Sequence, residues 1–323
     1  MIKRRFDALL AKCYNRAGVR KIERGNREEH MKSSSAIRVL LLIFYSLSLS
    51  TGCRRATANA GGNTSIQNVG SDTIVNLALA WAEAYTAQHP DVWLSVTGGG
   101  SGTGIAALVN GTIDIANASR QIKDEELSTA EANGVTPVEH VIARDAIAIV
   151  VHLDNPVDRL TISQLSAIYQ GHVTNWSQVG GDDRPIVLLS RESNSGTHVY
   201  FLEQVVRQGD KKDKALFSPD TLLLPSSEGI SVEVRQNPNA IGYDGLGYVT
   251  PDQKVIDVAR DAGGPFVSPT VESVNSGAYP IARDLYMYTA GEPSGAVALY
   301  LDWILGDEAQ AIVRELGFVP LGQ

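Results

Sequence analysis

Beyond residue 65 the chain alternates between two hydrophobic patterns, one typical of helices and the other typical of strands. Apolar residues spaced three and four apart predict amphipathic helices, whereas short alternating or wholly apolar runs predict strands. The predicted helices follow Gly70, Gly104 and Thr197 and also cover 163–169, 295–303 and 307–316. The predicted strands lie at 91–97, 113–116, 146–153, 186–190, 241–243 and 285–288. Strands that alternate with helices indicate an α/β fold with largely parallel pairing.

The pattern restarts after the strongly apolar strand at 146–153, which predicts a second α/β unit. We therefore expect two lobes joined by strands that cross between them. The first lobe is predicted to comprise residues 63–150 together with a return segment at 281–323. Residues 151–280 are predicted to form the second lobe.

Residues 1–62 are predicted to comprise a leader, a signal peptide and a tether. Lys32 and Arg38 precede an apolar run over 39–49 that is too short to span a bilayer, which is the pattern of a secretory signal. Polar and basic residues occupy positions 1–30, where a signal peptide would not place them. Met31 is therefore the expected start, and a longer leader is the alternative. The Gly-, Asn- and Ser-containing stretch 60–65 is predicted to be a flexible spacer.

The end of the apolar run resembles the cleavage box of bacterial lipoproteins. It reads Leu49-Ser50-Thr51-Gly52-Cys53, with Ser50 where the box usually has leucine. The resemblance implies that Cys53 becomes the lipidated first residue of the mature chain. The alternative is ordinary cleavage after Ala58 or Ala60.

Charge and cysteine content exclude several classes of function. The chain has 28 Lys and Arg and 36 Asp and Glu, a net charge of −8, and residues 1–52 hold eleven of the bases and four of the acids. The remaining body therefore carries −15, which argues against nucleic-acid binding. Cys13 and Cys53 are the two cysteines, so no disulfide or thiolate metal site forms after residue 53. The six histidines lack metal-ligand spacing, and we expect neither a metal nor a cofactor.

Three segments share one design, in which a Gly-, Ser- or Thr-containing loop follows a strand and opens a helix. They are Gly70–Thr73, Gly98–Gly104 and Arg191–Thr197. A helix N-terminus presents unpaired N–H groups and a partial positive charge, hydroxyls add donors, and Arg191 brings a full charge that suits an oxyanion. Neither a Walker loop nor the G-x-G-x-x-G spacing fits the second segment. Taken singly, each loop is more simply explained as a cap and turn.

Taken together, these segments and four others make the chain resemble the phosphate-binding proteins of bacterial high-affinity phosphate ABC importers. The matching stretches are Gly70–Thr73, Gly99–Gly104, Asp114–Arg120, Arg191–Thr197, Asn239–Tyr243, Tyr279–Arg283 and Gly317–Leu321. The similarity extends over essentially everything from residue 65 onward. It implies a two-lobed periplasmic-binding-protein fold of type II, with the ligand in the cleft between the lobes.

The resemblance also implies which residues bind phosphate. The implied set is Ser71, Asp72, Thr73, Ser101, Ser119, Arg120, Arg191, Ser195, Gly196 and Thr197. The chain departs from the best-known family members at Arg120, where they have an aspartate that accepts the proton of hydrogen phosphate. Asp72 is the nearest replacement acceptor, and a helix cap is its alternative role. Arg120 is either a second cationic ligand or a solvated surface residue.

The expected function is that of an exported, membrane-tethered and monomeric solute-binding protein. It is expected to capture inorganic phosphate and deliver it to an ABC permease without a chemical step. One alternative is a binder of sulfate, molybdate or tungstate, and another is a phosphate sensor or surface protein without a transport role. An enzyme acting on phosphate esters is disfavoured, because Ser195 lies outside any G-x-S-x-G elbow.

Overall fold

The computed structural model describes residues 64–322, in which ten strands and nine α-helices form. The strands are β1 (Thr64–Gly70), β2 (Val92–Thr97), β3 (Ile115–Ala118), β4 (Val138–Val151), β5 (Arg159–Thr161), β6 (Val187–Arg191), β7 (Leu222–Leu224), β8 (Ala240–Gly245), β9 (Lys254–Ala259) and β10 (Ala282–Thr289). The helices are α1 (Asp72–Gln88), α2 (Ser101–Val109), α3 (Asp124–Ala132), α4 (Ile162–Tyr169), α5 (Gly196–Phe201), α6 (Ser227–Gln236), α7 (Val271–Asn275), α8 (Gly295–Ile304) and α9 (Asp307–Glu315). This α/β composition confirms the predicted fold class.

The strands form a mixed sheet in the order β2-β1-β3-β10-β4-β8-β6-β7, with β9 also paired to β4 and β5 to β9. Pairing is parallel between β1 and its two neighbours and between β6 and its two neighbours. β10 runs antiparallel to β3 and β4, and β4 runs antiparallel to β8 and β9. The prediction of largely parallel pairing therefore holds within each half of the sheet, whereas the strands that connect the halves are antiparallel.

Two element bounds differ from the sequence prediction. Thr64 and Ser65, which were expected in the spacer, begin β1 and pair with Val92 and Trp93 of β2. Strand β4 begins at Val138 rather than near 146, because its first half pairs with β10 along eight positions. Helices α3, α6 and α7 were not predicted, since α3 is mostly polar, α7 spans five residues, and α6 has a polar first turn and contains Gly229.

The buried apolar residues separate into cores on either side of the strands β4 and β10. The first lobe's main core combines α1 with residues of α8 and α9, including Trp81, Tyr300 and Val313. The second lobe's main core surrounds Trp176 and Tyr243. Since Ile142 belongs to one core and Ile147 to the other, β4 passes from lobe to lobe. The boundaries at residues 150 and 280 stay predictions.

The predicted leader falls outside the part of the chain that the structure describes. The start at Met31, the signal peptide and the lipidation of Cys53 therefore remain predictions. Between residues 64 and 322, none of the helices combines the length and the apolar character needed to cross a membrane.

Candidate functional site

Two of the predicted loops meet where the lobes touch. Thr73 lies in the first turn of α1 in the first lobe, and Thr197 lies in the first turn of α5 in the second lobe. Their Oγ1 atoms are 2.7 Å apart, and both residues are buried. A hydroxyl can both donate and accept, so this pair joins the lobes through a polar contact.

Two serines of the first lobe face the same loop of the second. Ser101 Oγ lies 3.3 Å from Ser119 Oγ and accepts a hydrogen bond from the Ser119 N–H at 3.0 Å. A Cβ placed on Gly196 would come within 2.3 Å of Ser101 Oγ and 2.6 Å of Ser119 Oγ. The absence of a side chain at Gly196 therefore allows the two lobes to approach at this point.

We call Thr73, Ser101, Ser119 and Thr197 the interlobe hydroxyl cluster. All four residues are buried, and they come from the first turns of α1, α2 and α5 and from the position directly after β3. Ser71 and Ser195, the residues that precede α1 and α5, are buried as well, and neither side chain caps its own helix. The structure thus brings together most of the hydroxyl groups that the resemblance implied, as a set of buried donors drawn from both lobes.

The cation that contacts this cluster is Arg283, which was not among the predicted ligands. Its Nη2 donates to Thr197 Oγ1 at 3.0 Å, and its Nη1 donates to the Ser119 carbonyl at 2.9 Å. On its other side, Nε and Nη2 bond Asp145 Oδ2 at 3.2 and 2.8 Å. Asp145 and Arg283 face each other across β4 and β10. A charged residue within an apolar strand is the sequence signal that identifies such a pair.

Arg191, the predicted cationic ligand, is fully buried and bonded on several sides. Its Nη2 lies 3.2 Å from Asp72 Oδ2, and its Nη1 donates to Ser227 Oγ at 2.7 Å. Its remaining hydrogen bonds go to backbone carbonyls of Leu224 and Pro225. The guanidinium is therefore held mainly by protein groups, and its role as a phosphate ligand stays a prediction.

Asp72 caps a helix, although not the one that its sequence position indicated. Its Oδ2 accepts the N–H of Ser227, the first residue of α6, at 2.8 Å. A carboxylate at a helix N-terminus is stabilised by the unpaired N–H groups there. Because Asp72 belongs to α1 and Ser227 to the second lobe, this cap ties the lobes together. Its alternative role as acceptor of a phosphate proton stays a prediction.

Arg120 is largely buried and forms a two-pronged ion pair. Nη2 and Nη1 bond the two carboxylate oxygens of Glu126 at 2.7 and 2.8 Å. Burial acts to raise the pKa of Glu126, but the bonds from Arg120 and Lys123 outweigh it and lower this pKa. Glu126 is thus ionised at neutral pH and offsets the charge of Arg120. Arg120 is neither a solvated residue nor a free cation, and its role as a ligand stays a prediction.

Hydrogen bonds between the loops hold the lobes together at the rim of the site. The N–H of Gly102 donates to the carbonyl of Asn194 at 3.0 Å, and Asn194 Nδ2 donates to the carbonyl of Gly99 at 2.9 Å. Gly100 has φ of 97°, and a Cβ there would lie 2.8 Å from the Asn194 carbonyl oxygen. Glycine is required at this position both for the backbone conformation and for the close approach.

His198 follows the second-lobe loop and packs as a structural residue. Its Nδ1 lies 3.0 Å from Ser190 Oγ, and its ring lies against Phe217. Burial lowers its pKa, which favours the neutral imidazole. Over residues 64–322 no cluster of His, Cys, Asp and Glu has the geometry to hold a metal ion.

Comparison with known proteins shows where this arrangement belongs. The family model described as the PBP superfamily domain matches residues 56–308. The phosphate-binding protein PstS of Pseudomonas aeruginosa is 35% identical over 279 residues, covering 81% of this chain and 84% of that protein. PstS of Bacillus subtilis is 31% identical over 263 residues, covering 81% and 82%.

Solved structures agree with the sequence comparisons. A Clostridium perfringens structure, described as a phosphate ABC transporter substrate-binding protein with bound phosphate, has a TM-score of 0.72 and 32% identity, covering 80% of this chain and all of that one. The ABC-type phosphate transport receptor of Vibrio cholerae has a TM-score of 0.64 and 29% identity, covering 79% of this chain and all of that one. The chain belongs to the PBP superfamily and, within it, to the family of the phosphate-binding proteins PstS.

Proposed function

We propose that this protein binds inorganic phosphate between its two lobes and delivers it to an ABC permease. The observation that carries the proposal is the interlobe hydroxyl cluster, in which buried donors from both lobes converge beside the guanidinium of Arg283. A tetrahedral oxyanion needs several hydrogen-bond donors arranged around it, and a desolvated site strengthens each of those bonds. The names of the relatives support phosphate as the anion.

The proposed ligands are the hydroxyls of the cluster together with those of Ser71 and Ser195 and the N–H groups of Gly196 and Thr197. Arg283 supplies the positive charge at short range, while the net charge of the body is screened beyond roughly 8–10 Å. Hydroxyl groups accept as well as donate, so several of these residues can accept a hydrogen bond from the P–OH group of hydrogen phosphate. A hydroxyl can equally donate to sulfate, so selectivity needs a fixed acceptor where Arg120 replaces the family's aspartate, and the predicted candidate is Asp72.

The proposed cycle has no chemical step. The ion binds to an open cleft, the lobes close over it, and the closed form presents the surface that the permease recognises. We further propose that the protein acts outside the cytoplasmic membrane as a monomer, and that lipidated Cys53 tethers it. The relatives are transport binding proteins, which supports a role without catalysis.

Calorimetric titration with phosphate, repeated in excess sulfate, tests the proposal. We expect tight binding of phosphate that sulfate does not displace. Displacement by sulfate, or preferential binding of molybdate, would instead support the alternative of another oxyanion. Binding of no oxyanion by folded protein freed of carried-over ligand would refute the proposal.

Replacing Thr197 with valine tests whether the cluster binds the ion. Valine keeps the shape of threonine but removes the hydroxyl that contacts Thr73 and Arg283. We expect phosphate binding to weaken by about 10-fold to 150-fold, because one buried hydrogen bond to a charged group contributes ~1.5–3 kcal/mol. Thr197→Ser is the matched control, since it keeps the hydroxyl and should bind nearly as the wild type does. Equal affinities in both variants would remove Thr197 from the site.

Replacing Asn194 with alanine tests the contact at the rim. The variant loses the bond to the Gly99 carbonyl but keeps the backbone bond to Gly102. We expect Kd to rise about threefold to tenfold, because a hydrogen bond contributes ~1 kcal/mol to the closed form. The rate of phosphate release should rise in parallel, as stopped-flow measurements would show. Asn110→Ala, at an exposed position after α2, is the control.

A further inference from the structure

A second polar cluster lies beside the hydroxyl cluster and also joins the two lobes. It consists of Asp72 from the first lobe and of Arg191, Ser227 and Asp244 from the second. Asp72 Oδ2 lies 3.2 Å from Arg191 Nη2 and accepts the Ser227 N–H at 2.8 Å. These bonds exist only while the lobes are together. When the lobes part, Asp72 must leave Arg191, whereas Asp244 remains in the same lobe as Arg191.

Asp244 is the member of this cluster with an unused hydrogen-bonding atom. It lies near the end of β8 with 1% of its surface exposed. Its Oδ1 accepts the N–H of Gly245 at 2.9 Å, and its buried Oδ2 has no hydrogen-bond partner within residues 64–322. A buried carboxylate oxygen without a donor is unfavourable when it is ionised, but protonation turns it into a hydroxyl.

The groups that face Asp244 come from every element packed around it. Arg191 from β6 and the Ser227 hydroxyl from α6 favour its ionised form, whereas Asp145 from β4 disfavours that form. Asp72 from α1 competes for the same guanidinium, and Tyr248 donates to the backbone carbonyl of Asp72. Within residues 64–322, Asp72 forms the ion pair with this guanidinium, whereas Asp244 is attracted by its charge without forming an ion pair. Burial raises the pKa of Asp244 to about 7, despite the opposing effects of Arg191 and Ser227.

We propose that Asp244 takes up a proton when the lobes close and releases it when they open. In the closed form, Asp72 neutralises Arg191 and Asp244 is protonated. In the open form, Asp72 has left and ionised Asp244 becomes the partner of Arg191. Asp244 thereby makes closure dependent on pH and keeps the buried guanidinium paired in both forms. The inference rests on the proposed function, because it requires that closure accompanies phosphate binding.

The direction of the effect follows from linkage. A group that binds a proton more tightly in the closed form favours closure at low pH and opposes it at high pH. Phosphate affinity should therefore fall as pH rises through 7, in addition to any change due to the ionisation of phosphate itself. One linked proton contributes at most about tenfold in Kd per pH unit. The Asp244→Asn variant should lack this contribution.

Calorimetric titration of the full protein with phosphate near pH 7 tests the inference, run in two buffers with different enthalpies of ionisation. The difference in observed heat gives the number of protons taken up per phosphate bound. Protonation of phosphate itself contributes equally to the proton uptake of the wild type and of Asp244→Asn, so the difference between the two isolates Asp244. We expect the wild type to take up a fraction of a proton more than Asp244→Asn does. Asp72→Asn should also abolish the additional uptake, because Asp244 is then the sole carboxylate available to Arg191 and stays ionised.

Glu228→Gln is the control, because Glu228 lies on α6 next to Ser227 but is exposed and pairs with Arg235. It should keep the uptake of the wild type. Equal proton uptake in the wild type and in Asp244→Asn, with both binding phosphate, would overturn the inference and leave the proposed function standing. Absence of phosphate binding by the folded wild type would overturn the proposed function, and the inference with it. If Asp244→Asn does not fold, proton uptake by Asp72→Asn tests the inference instead: uptake equal to that of the wild type would overturn it.

Discussion

Replacement of Arg283 by methionine is expected to destabilise the protein by ~3–5 kcal/mol, because it leaves the buried carboxylate of Asp145 without its cation. Asp145 is completely buried, and both of its bonds from Arg283 reach the same oxygen. The variant also loses a bond to the Ser119 carbonyl within the first lobe and a bond to Thr197 that connects the two lobes. The free energy of unfolding, measured by urea denaturation, gives the size of the effect.

Arg144 provides the matched control for this substitution. It precedes Asp145 in β4 and pairs with Asp284 at 3.2 Å, but both side chains are more than a third exposed. An exposed ion pair contributes ~0–1 kcal/mol, so Arg144→Met should have little effect. Adding Asp145→Leu to Arg283→Met should recover part of the lost stability, because it removes the unpaired charge. Recovery should be incomplete, since Asp145 also accepts the N–H of Leu246. If Arg283→Met lowers the free energy of unfolding no more than Arg144→Met does, Arg283 is not the cation that stabilises buried Asp145.

Replacement of Gly196 by alanine is expected to weaken phosphate binding by about 100-fold, near the upper end of the ~1–3 kcal/mol that overpacking costs. The new Cβ would lie within 2.3 and 2.6 Å of the two serine hydroxyls across the cleft, so the lobes could not close to their present separation. The open form lacks this contact, and the free energy of unfolding should therefore change much less than the affinity. Calorimetry and urea denaturation of the same variant separate the two effects.

Gly263→Ala is the control for Gly196→Ala, because a Cβ at Gly263 would meet no atom within 4 Å. Its phosphate affinity should equal that of the wild type. Adding Ser101→Gly to Gly196→Ala removes the nearer of the two contacts. Because Ser101 is also a proposed phosphate ligand, its loss weakens binding in its own right, so tighter binding by the double variant than by Gly196→Ala would show that the contact blocks closure. Unchanged affinity in Gly196→Ala would show that closure does not bring these residues together.

Much of the fold could be predicted from the sequence, because local periodicity determines most of its elements. Helix α1 was predicted from apolar spacing that ends up buried against the first lobe's core, and its cap-type start at Ser71 and Asp72 was correctly placed. Helix α6 was missed, because Gly229 lies inside it and its first turn is polar. Because α6 was missed, its contact with Asp72 could not be predicted. The capping residue comes from the other lobe and is distant in sequence from the helix that it caps.

Candidate residues on short loops were easier to find than those inside strands. Thr73, Ser101 and Thr197 were implied by the resemblance, and the structure brings their hydroxyls into the same region. Arg283 and Asp145 were missed as site residues because Asp145 lies just before the predicted strand 146–153, and Arg283 entered only as the end of the matching stretch Tyr279–Arg283. Their pairing depends on the register of β4 against β10, which joins positions 138 residues apart. Long-range register of this kind is not determined by local pattern.

The position of β10 in the sheet has a consequence for the order in which the chain can fold. β10 lies between β3 and β4, and α9 accepts a hydrogen bond from Trp81 of α1 through the carbonyl of Ala309. The first lobe therefore cannot complete its sheet or its core until the C-terminal segment is present. The second lobe is nearly contiguous in sequence and is free to fold earlier. A ribosome-bound or partly translocated chain would thus hold a half-formed first lobe, and its cleft would become functional only after the final segment is released.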